Sequence, residues 1–259
     1  MLLSTSVDGT ARLWSIGDGH PVWPEPIRHK GIVWTAEFDR EGRRIVTASA
    51  DRSAMVWDAE SRRPLVRPIR HERSVKGARF SPDGHWVLTW SEDGTARVWD
   101  SQNGEAVSQP MRHRDKVTTA DFSPDGTRVL TGSMDGVVRL WDAASGYPLN
   151  ESLKNGGSIL VVEFSPDGRR FLSFADKDAL KIWDIITPPV PVPDWFCDLV
   201  EAVAGKRLSA NRDAEPVARD SLQPLRKRFA GAHDSDFYSR WANWFLWERM
   251  QEPAPEFVP

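Results

Sequence analysis

The chain has 259 residues and a formal net charge of −3, so it can bury a sizeable core, and its charge balance predicts no particular partner. It has neither a basic half nor an acidic tail, so non-specific binding of nucleic acid is not favoured. A single cysteine, Cys197, excludes an internal disulfide and is typical of a reducing compartment, so we expect a cytoplasmic protein. No apolar run is long enough for a membrane-spanning helix.

A segment that ends in tryptophan recurs along the chain at a nearly fixed spacing. Five tryptophans are separated by 43, 42, 42 and 42 residues: Trp14, Trp57, Trp99, Trp141 and Trp183. Each ends a strand-like stretch, and four of the five are followed by Asp. A period of about 40–45 residues that ends in Trp-Asp is the signature of four-stranded propeller blades.

The first repeat begins part-way through such a unit. Residues 2–6 and 11–15 alternate like strands on either side of an Asp-Gly turn, and no inner strand precedes them. The next three repeats are complete. Inner strands are predicted at 33–38, 75–80 and 117–122, and second strands at 44–49, 86–91 and 128–133. Short outer strands are expected before residues 29, 71 and 113, where prolines are tolerated because each strand is an edge.

These repeats resemble the WD40 family over residues 1 to about 186. Three repeats carry a full set of the family positions: His29, Ser49, Asp51 and Trp57; His71, Ser91, Asp93 and Trp99; His113, Ser133, Asp135 and Trp141. The resemblance implies that each set forms a hydrogen-bonded chain within one blade. Such a chain satisfies buried groups that would otherwise each cost a few kcal/mol. We interpret all twelve residues as structural, because three copies at one period argue against a catalytic triad.

The fifth repeat departs from this pattern. Asn155 replaces the His, Ala175 the Ser and Lys177 the Asp, so its hydrogen-bonded set is predicted to be reduced to Trp183. A terminal repeat that departs from the consensus is expected in a repeat array.

The C-terminal part reads as helical. A stiff proline-rich connector at 187–193 precedes predicted helices at 195–204, 222–229 and 236–250, with a polar linker at 208–219. The last helix has a wide aromatic stripe, which we expect to pack within this chain, with a docking face for another protein as the alternative.

The predicted fold class is all-β: a partial WD40-type β-propeller of about 4.5 four-stranded blades with a small α-helical C-terminal extension. The predicted divisions are repeats at 1–186, with blades at 1–28, 29–70, 71–112, 113–153 and 154–186, a connector at 187–193 and an extension at 194–259. An open ring would leave two apolar blade faces bare. We expect a longer chain to supply the missing blades and the helices to cap the C-terminal face; a homodimer, or capping by the helices alone, are the alternatives.

No metal-binding, phosphate-binding or nucleophile motif is present in the sequence, so we expect no cofactor, no metal and no enzymatic activity. Basic residues and one tryptophan recur near one predicted rim: Arg28, Lys30, Trp34, Arg70, Arg73, Lys76, Arg112 and Arg114. One interpretation is a solvated charge pattern partly paired with Glu37, Glu72 and Asp115. The other is a site for an acidic or phosphorylated peptide, with nucleic acid the weakest alternative.

We therefore predict a non-catalytic protein-interaction scaffold that binds through the propeller rim and channel mouth. The tail also resembles the C-terminal part of large bacterial WD40 proteins, some of which have an N-terminal protein kinase domain. That resemblance implies an alternative: a sensor or regulatory part of a larger signalling protein such as a bacterial Ser/Thr kinase. No kinase motif occurs in this chain itself.

Overall fold

The computed structural model describes residues 1–150 and 152–185, together with the backbone of two short strands further on. The chain divides into two units, Met1–Ile185 and Ile186–Pro259. The predicted connector and the three predicted helices lie outside the described residues. In the described ranges, no helix has the length and apolar character needed to cross a membrane.

In residues 1–150 and 152–185, 18 strands form five antiparallel sheets that follow one another in chain order. We call these sheets blades 1 to 5. Blade 1 contains β1 (Leu2–Thr5), β2 (Thr10–Trp14) and β3 (Ile27–Arg28). Blade 2 contains β4 (Val33–Phe38), β5 (Arg44–Ser49), β6 (Ser53–Asp58) and β7 (Ile69–Arg70). Blade 3 contains β8 (Val75–Phe80), β9 (Trp86–Ser91), β10 (Thr95–Asp100) and β11 (Met111–Arg112).

Blade 4 contains β12 (Val117–Phe122), β13 (Arg128–Ser133), β14 (Val137–Asp142) and β15 (Leu153–Lys154). Blade 5 contains β16 (Ile159–Phe164), β17 (Arg170–Ala175) and β18 (Lys181–Asp184). The inner strands β4, β8 and β12 and the second strands β5, β9 and β13 have the bounds predicted from the sequence. The predicted WD40-type β-propeller fold is thus confirmed for the described blades.

A second, smaller sheet lies in the C-terminal unit. Strands β19 (Lys206–Leu208) and β20 (Ala214–Pro216) pair antiparallel, with Arg207 opposite Glu215. The prediction of a polar linker at 208–219 was therefore wrong at these positions. Backbone pairing across a short connection does not need the apolar periodicity on which the prediction relied, and Pro216 is tolerated at the end of a strand.

A tight turn joins the first two strands of each complete blade. In blade 3, Ser81 Oγ accepts a hydrogen bond from Trp86 N at 2.9 Å, and Gly84 has φ +72°. Only glycine adopts that backbone conformation without steric cost. Blade 2 lacks the Ser-Pro pair, and there Asp39 Oδ1 accepts from the backbone N–H groups of Arg43 and Arg44 instead. Either side chain closes the reversal and sets the start of the second strand.

The core consists of seams between consecutive blades. Side chains alternate across a sheet, so each blade has one apolar face toward the preceding blade and one toward the next. At the seam between blades 2 and 3, Val46, Ala48, Ala54 and Val56 pack on Val75, Ala78, Phe80 and Val87. Equivalent clusters join blades 1 and 2, 3 and 4, and 4 and 5. Burial at these seams stabilises the array, and every blade depends on its neighbours.

Candidate protein-interaction site

A hydrogen-bonded chain of side chains links Trp to Asp in blades 2 and 3. In blade 3, Trp99 Nε1 donates to Thr89 Oγ1 at 2.8 Å, and Thr89 Oγ1 lies 2.8 Å from His71 Nε2. His71 Nδ1 lies 3.0 Å from Asp93 Oδ2. The carboxylate can only accept, so Nδ1 carries the ring proton, and Nε2 accepts from the threonine hydroxyl. Blade 2 repeats this chain through Trp57, Thr47, His29 and Asp51.

The central hydroxyl belongs to a threonine, so the prediction that Ser49, Ser91 and Ser133 link His to Trp was wrong. Ser91 Oγ accepts from Asp93 N and donates to the carbonyl of Ser74. Trp99 pairs with Val87, four residues before Ser91, and about 13 Å of strand then separates the serine from the indole. A signal was available in the sequence, since a hydroxyl residue precedes every repeat tryptophan by ten positions: Ser4, Thr47, Thr89, Thr131 and Ser173.

The fifth repeat keeps more of this chain than predicted. Trp183 Nε1 donates to Ser173 Oγ at 2.8 Å, and Asn155 Nδ2 donates to the same oxygen at 3.0 Å. Asp178 Oδ2 accepts from Gly156 N at 3.0 Å. The set is therefore not reduced to Trp183, because an amide can replace the imidazole and a neighbouring aspartate can replace the missing one.

The central hydroxyl of each chain is enclosed within its blade. Thr47, Thr89 and Thr131 are fully buried, and each hydroxyl lies between a Trp and a His. At the other end of the chain in blade 3, His71 and Asp93 line a cleft of about 420 Å³ together with Trp99. In the described residues, no group of His, Cys, Asp and Glu is arranged to hold a metal ion.

Blade 4 has the weakest of the three chains. His113 Nδ1 lies 3.4 Å from Asp135 Oδ2 and makes no hydrogen bond there. In blades 2 and 3 the carboxylate is also held by a hydroxyl, Ser53 or Thr95, whereas blade 4 has Val137 at that position. Burial lowers the pKa of His113 to about 4; Asp135 opposes this shift and Arg139 adds to it.

The pH dependence of stability follows from this pKa. The imidazole has an ordinary pKa of 6.5 and stays neutral in the fold down to about pH 4, so the unfolded chain binds more protons between these values. Stability is therefore full above pH 6.5 and falls as the pH drops toward 4. We expect a loss of about 2 kcal/mol from His113 between pH 7 and pH 5, measured by urea unfolding.

The matched control is His113→Asn, which copies the arrangement of Asn155. In this variant, the loss of stability between pH 7 and pH 5 should be about 2 kcal/mol smaller. The contribution of His29 should remain, because burial lowers the pKa of His29 as well. An unchanged pH profile in this variant would contradict the assignment.

The predicted basic rim divides into two groups. Arg28, Arg70 and Arg112 are exposed, but they lie on the outermost strands β3, β7 and β11. Three strand spacings of about 4.8 Å separate an outermost strand from the inner strand of its blade. These three arginines therefore lie apart from the inner strands, and Arg70 and Arg112 line a cleft of about 420 Å³ together with His71 and Asp93. Their part in partner binding stays a prediction. In the sequence, these three arginines directly precede the histidines. Between each arginine and the inner strand that follows, the chain turns from the outer edge of the blades to the channel mouth.

The second group lies at the channel mouth and centres on Trp34, which is 39% exposed. Its Nε1 donates to Ser74 Oγ of blade 3 at 3.0 Å, and Lys76 Nζ lies 3.5 Å from the ring centroid. Glu92 Oε1 lies 3.9 Å from Lys76 Nζ and 3.7 Å from Lys116 Nζ. We call Trp34, Lys76, Glu92 and Lys116 the mouth quartet. It contains two ammonium groups and one carboxylate, at distances longer than a close charge-assisted hydrogen bond.

Two of the three remaining rim residues have their backbone N–H groups bound by aspartates of the blade network. Asp51 Oδ2 accepts from Lys30 N at 3.0 Å, and Asp135 Oδ2 accepts from Arg114 N at 2.9 Å. A cleft of about 340 Å³ lies beside the quartet between blades 3 and 4, and its lining is mixed: the basic Arg73, Arg114 and Lys116 and the acidic Glu72, Glu92, Asp93 and Asp115. The blade network thus fixes the backbone from which the basic side chains project.

The family comparison agrees with this geometry. The WD domain, G-beta repeat family matches residues 26–58, 63–100 and 105–142. The chain contains three WD40 repeats.

Curated relatives match over shorter segments. Transcription initiation factor TFIID subunit 5 of Caenorhabditis elegans is 35% identical over 65 residues, which cover 25% of this chain and 10% of that protein. Mitogen-activated protein kinase kinase kinase A of Dictyostelium discoideum is 32% identical over 65 residues, which cover 24% of this chain and 7% of that protein. The matches thus span a tenth or less of these relatives.

Among solved structures, the computationally designed Ika8 protein aligns with a TM-score of 0.62 at 24% identity. The alignment covers 71% of this chain and 55% of that chain. This similarity concerns the fold alone.

The predicted acidic partners of the rim differ from the observed ones. Glu37 pairs with Arg79 on the next WD40 blade at 3.4 Å, and Arg79 also contacts Asp121. Burial raises the pKa of Glu37, with Arg79 opposing the shift. Glu92 is the carboxylate that lies near the rim lysines. The repeat pattern did not predict it, because the equivalent positions in blades 2 and 4 hold Ala50 and Met134.

Proposed function

We propose that this chain is a non-catalytic protein-interaction scaffold, and that its mouth quartet binds an acidic segment of a partner protein. WD40 repeats generally serve as protein-interaction scaffolds. The observation that carries the finer proposal is the quartet itself, where two ammonium groups share one carboxylate beside an exposed indole.

Charge and shape support an acidic ligand. The quartet has a net charge of +1, and a partner carboxylate placed near Lys76 and Lys116 would balance it. Trp34 offers an apolar surface of low side-chain entropy, and its indole is already held by Ser74. Tryptophan and desolvated charge pairs are the residue types that dominate interface energies. Complementary charge would also speed association and make it dependent on salt.

The test is binding of the full chain to an array of Glu-rich and Asp-rich peptides, with and without phosphoserine. For the best peptide we expect Lys76→Glu/Lys116→Glu to weaken binding at least about tenfold, because two attractive contacts become repulsive. The matched control is Arg67→Glu/Lys154→Glu, which makes the same charge change at exposed positions away from the quartet. Equal loss in both variants, or affinity independent of salt, would contradict the proposal.

A second candidate is a regulatory part of a larger signalling protein. The observation behind it is the match to a protein named as a kinase kinase kinase, in which the aligned segment is 7% of the length. The test is whether the open reading frame continues upstream of Met1 into a kinase domain. A stop codon immediately upstream in the same frame would exclude this arrangement.

A further inference from the structure

A cleft of about 420 Å³ lies at the outer side of the seam between blades 2 and 3. Strands β10 and β11 of blade 3 form one wall, and residues 70–72 at the end of blade 2 form the other. Small-ligand sites typically occupy about 300–1,000 Å³, so this cleft is large enough for one. No residue of the mouth quartet lines it in the described part of the chain. We call it the blade 3 cleft.

Two arginines of the blade 3 cleft lie on the same face of the sheet. Arg112 of β11 is paired with Thr95 of β10, and Arg97 comes two residues after Thr95 on that face. The two arginines are therefore diagonal neighbours on adjacent strands. Within residues 1–150 and 152–185, neither of them forms an ion pair with a carboxylate. Two like charges this close do not stabilise each other, so an anion between them would favour both.

Arg97 is held in place while most of its donors stay open. Its Nε donates to the carbonyl of Ser108 at 2.9 Å, and its guanidinium carbon lies 4.9 Å from the centre of the Trp99 ring. Among the described residues, its two terminal nitrogens have no hydrogen-bond partner. A guanidinium that one hydrogen bond and an aromatic ring already fix loses little side-chain entropy when it binds an anion.

The acidic residues of the lining do not neutralise these arginines. Asp93 Oδ2 accepts from His71 Nδ1 and from Glu72 N, both at 3.0 Å. Its Oδ1 accepts from the backbone and the hydroxyl of Thr95 at 2.9 and 2.6 Å. The carboxylate of Asp93 is thus already occupied, and Glu72 is exposed. With Arg70 on the opposite wall, three arginines against two carboxylates leave the lining with a net charge of +1.

The other complete blades do not repeat this arrangement. Blade 2 has Met55 at the position of Arg97, opposite the equivalent threonine. Blade 4 has Arg139 there, but its Nη1 donates to the backbone carbonyl of Arg112 at 2.9 Å and so bonds the preceding blade. A blade therefore forms with or without an open arginine at this position. The open guanidinium of blade 3 is available for binding rather than required by the fold.

We propose that the blade 3 cleft binds a phosphorylated serine or threonine side chain of a partner protein. A phosphate monoester has a charge of about −2 near pH 7 and three terminal oxygens, so Arg97 and Arg112 can both donate to it. A carboxylate has one charge and two oxygens, which suit a single guanidinium. Trp99 and Pro110 add apolar surface for the segment beside the phosphate. The phosphate follows from the cleft itself, whereas its attachment to a protein rests on the proposed scaffold function.

The experiment measures binding of labelled peptides to the full chain by fluorescence anisotropy. The probe is the best binder from a library of peptides with one fixed phosphoserine and uncharged flanking residues. We expect it to bind at least about tenfold more tightly than the same peptide with serine or glutamate at that position. Equal binding of the glutamate peptide would overturn the assignment to phosphate.

Inorganic phosphate distinguishes a protein ligand from a free anion. It should displace the probe only at concentrations at least about tenfold higher than the unlabelled phosphopeptide, because it makes no contact through flanking residues. Displacement by inorganic phosphate at the same concentration would overturn the assignment to a partner protein.

A double variant locates the site. Arg97→Met copies blade 2, and Arg112→Ala removes an exposed side chain, so Arg97→Met/Arg112→Ala should weaken phosphopeptide binding at least about tenfold while the chain stays folded. The matched control Arg40→Met/Lys154→Ala makes the same charge change at exposed positions outside the cleft and should leave binding unchanged. Unchanged binding in the first variant, or an equal loss in both, would overturn the proposal. If Arg97→Met disturbs the fold, Arg112→Ala alone decides, with an expected loss of several-fold.

The quartet variant Lys76→Glu/Lys116→Glu separates this site from the mouth quartet. At physiological salt, exposed charges farther apart than about 8 Å are largely screened, so this variant should keep phosphopeptide binding within about threefold. It should lose the acidic peptide, whereas Arg97→Met/Arg112→Ala should keep it. Loss of the phosphopeptide in the quartet variant would place the phosphate at the channel mouth and overturn the assignment to the blade 3 cleft.

Discussion

Thr89→Val should lower the free energy of unfolding by about 2–4 kcal/mol, measured by urea denaturation at pH 7. Valine has nearly the shape of threonine, so packing is preserved and only the hydroxyl is lost. Trp99 Nε1 then loses its acceptor and His71 Nε2 its donor, and both groups lie inside the blade. Each unsatisfied buried group costs about 1–3 kcal/mol.

Two matched variants separate the loss of this hydroxyl from the loss of the threonine methyl group or of a neighbouring serine. Thr89→Ser should cost about 1 kcal/mol or less, because Ser4 and Ser173 already accept from Trp14 and Trp183 at the same position. Ser91→Ala should cost less than Thr89→Val, since Ser91 contacts neither the indole nor the imidazole. Equal losses from Ser91→Ala and Thr89→Val would restore the serine as the central hydroxyl.

Trp90→Ala should lower the free energy of unfolding by about 3–5 kcal/mol, the largest effect of a single side chain that we expect. Trp90 is buried between blades 3 and 4, and its Nε1 donates to the carbonyl of Thr118 at 3.2 Å. Its ring lies over Gly77 on the paired strand, where a Cβ would come within 2.0 Å of ring atom Cζ2. Truncation therefore leaves a cavity above a residue that has no side chain to fill it.

The equivalent pairs in other blades indicate how the cavity can be filled. Blade 2 has Thr35 opposite Ala48, and blade 4 has Thr119 opposite Gly132, so a larger inner residue faces a smaller one. Gly77→Thr alone should destabilise the protein because of the clash with Trp90. In the Trp90→Ala background it should instead recover about half of the loss. Strictly additive effects in the double variant would contradict this account.

Much of the fold could be predicted from local patterns. The inner strand Val75–Phe80 and the second strand Trp86–Ser91 have the predicted bounds because strand alternation and a Ser-Pro-Asp-Gly turn determine each limit locally. The family match rests on the same repeated residues. Register within a blade follows as well, since a slip of one residue would move the apolar side chains to the wrong face.

The residues of the hydrogen-bonded chains and of the rim were harder to predict from local sequence patterns. Ser49 and Thr47 both carry hydroxyls near the predicted end of one strand, and the choice between them depends on the cross-strand pairing of Trp57 with Ile45. Arg70 and Lys76 are six residues apart, yet one lies on the outermost strand and the other at the channel mouth. The number of residues between two side chains does not predict how far apart they lie across the sheet. That distance depends on the order of the four strands.

By itself the sequence determined the blade repeat, the strand positions and the residue types of the buried chains, because these depend on interactions within about 40 residues. The tertiary structure decided which side chains meet between blades. Trp34 contacts Lys76, Arg44 reaches Gly84, and Ile182 faces solvent where Val98 is buried. Each of these contacts depends on the twist of the sheets and on how one sheet packs against the next. A repeating sequence contains the residues for both sides of a blade-to-blade contact, but it does not show which blades actually pack together.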